Sequence, residues 1–190
     1  MRIEAKIAPN DWTPATEGRV IIAKRSAVGQ YAYQFSINVT TGTLNFSWTA
    51  DGSTVISKDS TVAPTATDGA ALWVAVTHDV DNGAVGNDVT FYTSADGVTW
   101  DALGDAVTTA ATTSHQDSTA AVEIGTTLGG TDLLFAGKIY DVKLYNDLTG
   151  STLVARFDPT NSLPTDTTCV GPTTAEVWTL QGDAVFALTE

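Results

Sequence analysis

Apolar and polar residues alternate with a period of two along much of this chain, which is the pattern of half-buried antiparallel β-strands. In the clearest segment, residues 31–39, the Tyr, Phe, Ile and Val side chains fall on one face and Ala, Gln, Ser and Asn on the other. Thr41-Gly42 then leads into residues 43–48, whose Leu44, Phe46 and Trp48 again share a face. The pattern therefore predicts a β-hairpin here.

The same alternation predicts further strands elsewhere, and no window predicts an amphipathic helix. We expect strands at residues 2–8, 19–25, 53–58, 72–79, 88–94, 121–126, 135–145, 152–157 and 177–187. Thr, Ala and Asp dominate residues 59–70 and 104–120, which predicts long surface loops, and prolines mark 158–174 as an extended connector. The strand at 177–187 is expected to close the fold beside the first strand, within a single domain spanning residues 1–190.

Two short segments are near copies, Thr49-Ala50-Asp51-Gly52-Ser53-Thr54 and Ser94-Ala95-Asp96-Gly97-Val98-Thr99. The sequences around them do not match, which argues against an internal repeat. Hairpins that need a residue with positive φ converge on Asp-Gly independently. We interpret the similarity as turn chemistry.

The composition adds a strong charge imbalance, with 22 acidic against nine basic residues and a net charge of −13. Such a field repels polyanions, so nucleic acid and anionic membranes are excluded as expected partners. Five of the basic residues lie in the first 25 positions, namely Arg2, Lys6, Arg19, Lys24 and Arg25. They form either a docking patch or ordinary solvated strand positions.

Cys169 is the single cysteine, so the fold is expected to hold without an intrachain disulfide or a cysteine-rich zinc site. Met1 leads directly into the alternating segment 2–8, with no apolar core typical of a signal peptide, and no run approaches the length of a membrane span. These features predict a chain that is not exported by a classical signal.

Several pieces along residues 2–157 resemble, in order and spacing, the concanavalin A-like lectin/glucanase superfamily, specifically the laminin-G-like or pentraxin-like domains of bacteriophage virion proteins. The pieces are Asp11-Trp12-Thr13-Pro14, Ile22-Ala23-Lys24, Gly42-Thr43-Leu44 with Trp48 and Asp51-Gly52, Leu72 to Thr77 with Asp79 to Gly83, Phe91-Tyr92 with Asp96-Gly97 and Trp100, and Phe135 to Tyr140.

The resemblance implies an all-β fold, a two-sheet antiparallel jelly-roll sandwich with ligands held at one rim or on the concave sheet. Domains of this kind often carry a strand before the position of Ile3, so we expect the first strand to leave a sheet edge that needs covering. Other virion proteins, or further copies of this chain in a homo-oligomer or virion lattice, are the expected partners.

Catalysis is not expected. Glucanases of this superfamily place paired carboxylates on one strand, commonly as Glu-x-Asp-x-x-Glu, because one group acts as nucleophile and the other as acid. The five glutamates, Glu4, Glu17, Glu123, Glu176 and Glu190, have no such spacing. With His78 and His115 as the only histidines and no nucleophile elbow, a hydrolytic triad is not expected either.

Calcium is a candidate cofactor, although none is required, because Asp-rich loops supply the oxygen ligands that this ion prefers. The candidate ligands are Asp79, Asp81, Asn82, Asn87, Asp88 and Asp117. The alternative, which we favour, is that these residues shape and cap a turn, since their order matches no dedicated calcium loop.

Carbohydrate binding needs an exposed aromatic platform beside hydrogen-bonding side chains. Trp12, Trp48 and Trp100 lie at predicted loop or strand ends, and the polar loop around His115 and Gln116 would complete a rim site. The alternative, which we favour for any one of these tryptophans, is that it plugs an end of the sandwich. Trp73 and Trp178 are expected to pack in the core and against the closing strand.

The leading hypothesis is a non-enzymatic bacteriophage virion protein, a capsid decoration or tail-associated lectin-like domain located on the virion, with host-surface glycans as a candidate ligand. The alternative is the carbohydrate-binding module of a secreted bacterial enzyme that acts on glycans. Neighbouring capsid or tail genes would favour the first, and a neighbouring catalytic domain the second.

Overall fold

The computed structural model describes residues 1–27, 29–181 and 183–186, and all secondary structure in them is β. The strands are β1 (Arg2–Pro9), β2 (Arg19–Arg25), β3 (Tyr31–Ile37), β4 (Leu44–Trp48), β5 (Ile56–Asp59), β6 (Leu72–Asp79), β7 (Gly86–Ser94), β8 (Asp101–Ala102), β9 (Val107–Ala110), β10 (Val122–Ile124), β11 (Gly137–Tyr145), β12 (Leu153–Phe157), β13 (Thr168–Val170) and β14 (Val177–Thr179). The described residues contain no helix with the length and apolar character needed to cross a membrane.

Two antiparallel sheets form the sandwich. The seven-stranded sheet runs in the order β12-β11-β1-β6-β7-β8, with β9 also paired to β7, and the five-stranded sheet runs β10-β2-β3-β4-β5. A separate two-stranded sheet joins β13 to β14. All pairs are antiparallel, as hairpin-connected strands permit.

The core lies between the two large sheets and follows from the period-two pattern. Alternate residues of β1, β6 and β7 face alternate residues of β2, β3 and β4, and the largest fully buried side chains are Trp48, Phe35, Phe46, Phe91, Ile3, Ile7, Ile21, Ile22, Ile37, Leu44, His78 and Val20. Burying each large apolar side chain contributes about 1.5–3 kcal/mol. His78 is the one titratable side chain in this set. The end of the sandwich where it lies is therefore a candidate for a functional site.

The predicted strands are confirmed where alternation is strong and differ where it is weak. Strands 19–25 and 72–79 have the predicted bounds, and the 31–48 hairpin pairs Tyr33 with Trp48 and Ile37 with Leu44. Strand β9 lies inside the predicted loop 104–120, and β13 inside the predicted connector 158–174. Both are short, Thr-containing segments in which period-two contrast is slight.

The closing strand differs most from its prediction. It ends at Thr179 rather than 187 and pairs with β13 instead of β1, while positions 182 and 187 lie outside the described residues. The reason is that both sides of β1 are already occupied, by β6 and β11. For the same reason, the expectation that β1 leaves a sheet edge is wrong.

Side chains of the β13–β14 hairpin cover one edge of the seven-stranded sheet at β12. The Arg156 N–H donates to the Glu176 carboxylate, and the Trp178 indole N–H donates to the Arg156 carbonyl across 3.0 Å. Trp178 also packs edge-on against Phe157 at 5.9 Å between ring centroids. Two side chains thus take the place that backbone groups of a further strand would occupy.

The five N-terminal basic residues do not form one patch, because β1 and β2 belong to different sheets. Arg2 and Lys6 lie on the seven-stranded sheet, whereas Arg19, Lys24 and Arg25 lie on the five-stranded one. The predicted docking patch is therefore wrong as a single surface.

Candidate ligand cleft at one end of the sandwich

A cleft opens between the two sheets at the end of the sandwich where β1 begins and β11 ends. We call it the end cleft. It is lined by Met1, Lys24, Ala32, Tyr33, His115, Gln116, Leu144, Tyr145, Asn146 and Val154. Its volume of about 230 Å³ is below the roughly 300–1,000 Å³ typical of sites for drug-sized ligands. The end cleft therefore has room for one small group, such as a single sugar ring.

The loop between β9 and β10 brings His115 and Gln116 to the end cleft. Its backbone is tied to both sheets, because Thr113 N–H donates to the Val80 carbonyl at 2.9 Å and Gln116 N–H to the Thr49 carbonyl at 2.8 Å. The buried Trp48 indole N–H donates to the Thr113 hydroxyl at 3.0 Å. The loop carries no regular strand at these positions, yet several hydrogen bonds fix it.

His115 and His78 meet through their ring nitrogens beneath this loop. His78 Nδ1 lies 2.9 Å from His115 Nε2, and His78 Nε2 lies 3.4 Å from the Asn87 side-chain oxygen. The Asn87 amide nitrogen in turn donates to the Ala111 carbonyl at 2.8 Å. We call this chain the Asn87–His78–His115 relay.

Aromatic rings enclose both histidines and keep them uncharged at neutral pH. Trp48 and Phe46 pack on His78 at 4.2 Å and 5.4 Å between ring centroids, and Phe46 also meets His115 at 6.1 Å. Burial disfavours the charged imidazolium, and it lowers the pKa of His78 to about 4. Burial, and then the neighbouring His78, lower the pKa of His115 to about 3.

Tyr33 lines the end cleft, and its buried hydroxyl has an open bonding capacity. The residue is 5% exposed, its ring lies edge-on to His115 at 6.4 Å, and its hydroxyl has no hydrogen-bond partner among the described residues. Burial raises the pKa of this phenol, so it remains a neutral O–H. A buried hydroxyl without a partner carries a free-energy cost of about 1–3 kcal/mol, which a bound ligand would remove.

Trp100, the third predicted platform residue, lies elsewhere, on the outer face of the seven-stranded sheet. There the Arg2 guanidinium lies 4.9 Å from the Trp100 ring and 5.1 Å from the Tyr92 ring, and its Nε donates to Glu4 at 2.7 Å. Lys143 lies 3.7 Å from the other Glu4 oxygen. We call Arg2, Glu4, Tyr92, Trp100 and Lys143 the sheet-face cluster.

The neighbouring Asp96-Gly97 turn folds over Trp73, which stands half-buried on the same outer face. Trp73 packs edge-on against Trp100 at 6.3 Å and under Lys143 at 4.6 Å. The prediction that Trp73 lies in the core is wrong, because alternation along β6 turns Val74 and Val76 inward instead.

Trp12 and Trp48 are not exposed, so the structure rules out both as sugar platforms and agrees with the favoured alternative. Trp12 is 3% exposed and Trp48 is fully buried, both inside the main core. Each sits at the end of an element, but the loops at that end cover it, which is the alternative considered from the sequence. Carbohydrate binding by Trp100, His115 and Gln116 stays a prediction.

The acidic turn after β6 is shaped by its own carboxylates and amides. Asp79 accepts from Asp81 N–H at 3.3 Å, Asp81 from Gly83 N–H at 3.2 Å, and Asp88 from the Asn82 amide at 3.1 Å.

The other two candidate calcium ligands lie apart from this turn's hydrogen bonds. Asn87 is buried in the relay, and Asp117 is exposed on the β9–β10 loop. The described residues contain no group of three or more His, Cys, Asp or Glu arranged for a metal ion. Calcium binding here stays a prediction.

Two members of the site were not predicted from the sequence. In the sequence, His78 stands out only as one of two histidines, and Tyr33 only as part of the apolar face of residues 31–39. The available signal was the position of His78 on the inward-facing register of β6, beside Val76, where a polar residue needs a buried partner.

No family model matches this chain, and no curated protein matches it. Among solved structures, the chain is similar to the carbohydrate-binding module CBM40 of the Ruminococcus gnavus IT-sialidase, bound to α2,3-sialyllactose. The TM-score is 0.54 at 13% sequence identity, over 77% of this chain and 75% of that chain. The likeness establishes the fold as a jelly-roll β-sandwich.

Proposed function

We propose that this protein is a non-enzymatic glycan-binding domain that takes a sugar group in the end cleft. The observation that carries the proposal is Tyr33, which lines the cleft and whose buried hydroxyl lacks a partner among the described residues. Sugar hydroxyls both donate and accept hydrogen bonds, so they are suited to such a group. The fold shared with a carbohydrate-binding module bound to sialyllactose supports the same class of ligand.

The residues that line the end cleft favour binding over hydrolysis. They include no carboxylate, whereas a glycosidase needs an acid and a second carboxylate on either side of the scissile bond. Hydrolysis of polysaccharides by the purified chain, abolished by changing Glu123, would contradict the non-enzymatic assignment.

The test is a glycan array probed with the protein, followed by titration of the best ligand against two matched variants. Tyr33→Phe removes the unpartnered hydroxyl, so we expect affinity to fall roughly 2- to 10-fold, the value of one hydrogen bond. Stability should stay the same or rise, because the buried group had no partner.

Tyr31→Phe is the control. Its hydroxyl bonds to the Ser47 hydroxyl at 2.6 Å and does not line the end cleft. It should lose stability while keeping affinity. Unchanged affinity in Tyr33→Phe would exclude the end cleft as the glycan site.

The setting of this binding domain rests on the sequence resemblance alone. We propose display on a bacteriophage virion, with other virion proteins or copies of the chain as partners, and the alternative is a module of a secreted bacterial glycan-active enzyme. Mass spectrometry of purified particles decides between them, since the chain must be present in virions under the first proposal and absent under the second.

A further inference from the structure

The proton positions in the Asn87–His78–His115 relay follow from one backbone carbonyl. The Ala111 carbonyl can only accept, so the Asn87 group that meets it at 2.8 Å is the NH₂, and the Asn87 oxygen faces His78. An oxygen without a proton needs a donor, and therefore His78 carries its proton on Nε2. A neutral imidazole with a proton on Nε2 has a lone pair on Nδ1.

The tautomer of His115 follows from the same reasoning. The 2.9 Å contact between His78 Nδ1 and His115 Nε2 needs one proton, and His78 has none to give at Nδ1. His115 must therefore carry its proton on Nε2, which leaves Nδ1 as a lone pair. No described residue donates a hydrogen bond to this nitrogen, and His115 lines the end cleft.

We infer that His115 presents Nδ1 to the end cleft as a fixed hydrogen-bond acceptor, so that the bound group is a donor, the hydroxyl of a neutral sugar rather than an anion. The inference deepens the proposed function and rests on it for the identity of the ligand as a sugar. Asn87 and His78 are positioning residues here, because they act through His115.

The charges around the end cleft agree with a neutral ligand. Its lining residues carry two cations that already have acceptors: the Lys24 ammonium donates to the Ala120 carbonyl at 2.7 Å, and the Met1 amino group donates to the His78 carbonyl at 3.0 Å. The whole chain carries a net charge of −13, which opposes the approach of a carboxylate or sulfate. The Tyr33 hydroxyl beside His115 offers a second group that can accept or donate to the same sugar.

The first test does not need a ligand. Long-range ¹H–¹⁵N NMR of the intact, ¹⁵N-labelled chain at pH 7 distinguishes a protonated from an unprotonated ring nitrogen. We expect both histidines to be neutral with protons on Nε2. A proton on Nδ1 of His115, or a charged His115 ring, would overturn the inference whatever the protein binds.

Two variants test whether Asn87 sets the tautomer. Asn87→Leu removes the acceptor for His78 Nε2, so the His115 ring should become a mixture of both tautomers. Thr113→Val is the control, since it breaks the bond to the Trp48 indole in the same loop without touching the relay, and should leave both tautomers as in the unaltered protein. A mixture in the control as well would mean that loop order, not Asn87, sets the tautomer. If Asn87→Leu fails to fold, the measurement on the unaltered protein decides alone.

A second experiment titrates the protein with lactose and with α2,3-sialyllactose, which differ by one acidic sugar. We expect sialyllactose to bind no more tightly than lactose, with His115 Nδ1 remaining unprotonated in both titrations. Tighter binding of sialyllactose with protonation of His115 would overturn the inference. If neither sugar shifts the His115 resonances, the tautomer measurement decides the inference, and the result counts against the proposed function instead.

Discussion

Two regions of this sandwich contain buried polar groups, and they differ in whether these groups have partners. In the sheet-face cluster, Arg2 and Glu4 are each 6% exposed, but Glu4 accepts hydrogen bonds from Arg2 and Tyr145 and forms an ion pair with Lys143 at 3.7 Å. In the end cleft, the Tyr33 hydroxyl and the outer nitrogen of His115 have no partner among the described residues.

The presence or absence of partners distinguishes a structural cluster from a binding site in the same molecule. Both regions contain aromatic rings and buried polar groups, so composition alone does not separate them. A cluster whose hydrogen bonds and charges are satisfied internally gains stability and has little left for a ligand. A region with an unsatisfied donor or acceptor loses stability until a ligand supplies the partner.

The largest expected effect comes from breaking the sheet-face cluster at Glu4. Glu4→Gln leaves the buried Arg2 cation without its counter-charge, and removing one partner of a buried ion pair costs about 3 kcal/mol or more. We expect urea denaturation to show that loss, equivalent to a Tm lower by roughly 6–12 °C in a chain of this size. Glycan affinity should not change. A loss below about 1 kcal/mol would mean that the cluster is not a tightly paired unit.

Acid should weaken the end cleft region through its two histidines. Their folded pKa values, about 4 for His78 and about 3 for His115, lie below the unfolded value near 6.5. Stability is therefore fully present above pH 6.5 and is lost as the pH falls toward the folded values. Between pH 7 and pH 5, His78 should lower the free energy of unfolding by roughly 2 kcal/mol. The partly exposed His115 should lower it by somewhat less.

The check on this pH effect is urea denaturation at both pH values. His115→Gln should show a smaller pH-dependent loss than the unaltered protein. Tyr33→Phe, at the same cleft, should show the unaltered loss, because phenols do not titrate in this range. The other titratable groups that line the end cleft are Lys24, Tyr145 and the Met1 amino group. An equal pH dependence in His115→Gln would contradict a neutral, buried His115.

A smaller effect is expected where the Asp96-Gly97 turn covers Trp73. Gly97 has a φ of +74°, and an added Cβ would lie 2.6 Å from the Trp73 ring, whereas Gly83 has a φ of +75° and nothing within 4 Å. Alanine costs about 1–2 kcal/mol for this backbone conformation at either position. We expect Gly97→Ala to cost about 1 kcal/mol more than Gly83→Ala, because crowding adds to the backbone strain. Equal losses by thermal melting would show that the turn does not pack on Trp73.

The smallest expected effect is that of calcium at the acidic turn. An ion bound at a concentration equal to its Kd stabilises by about 0.4 kcal/mol, which corresponds to a Tm rise of roughly 1 °C. Melting curves in calcium and in chelator test this, with Asp81→Asn expected to remove the rise. Identical curves for the unaltered protein would exclude the site.

Much of the sandwich was predictable because alternation is a local property. The hairpin of β3 and β4 and the bounds of β2 and β6 follow from side chains that alternate between core and surface. Strands β9 and β13 were not predicted because they are short and their sequences, Val-Thr-Thr-Ala and Thr-Cys-Val, show little alternation of apolar and polar residues. Trp73 was misplaced because Leu72, Trp73 and Val74 are all apolar, so the pattern did not show which face turned inward.

The end cleft was only half predictable for a different reason. His115 and Gln116 were expected at a rim site because they are polar residues of the predicted loop 104–120. The contact between His78 and His115 spans 37 positions and depends on how that loop is tied to Val80 and Thr49. Tyr33 continues an apolar alternation, and its missing partner is visible only when every neighbour is placed.

The hairpin that covers β12 has a consequence for how copies of the protein behave toward one another. An uncovered edge strand exposes unpaired N–H and C=O groups, which invite pairing with another chain and aggregation. At Arg156, the Glu176 carboxylate and the Trp178 indole occupy both of these groups. The contacts that dock the hairpin therefore also keep neighbouring sandwiches from joining edge to edge at this point.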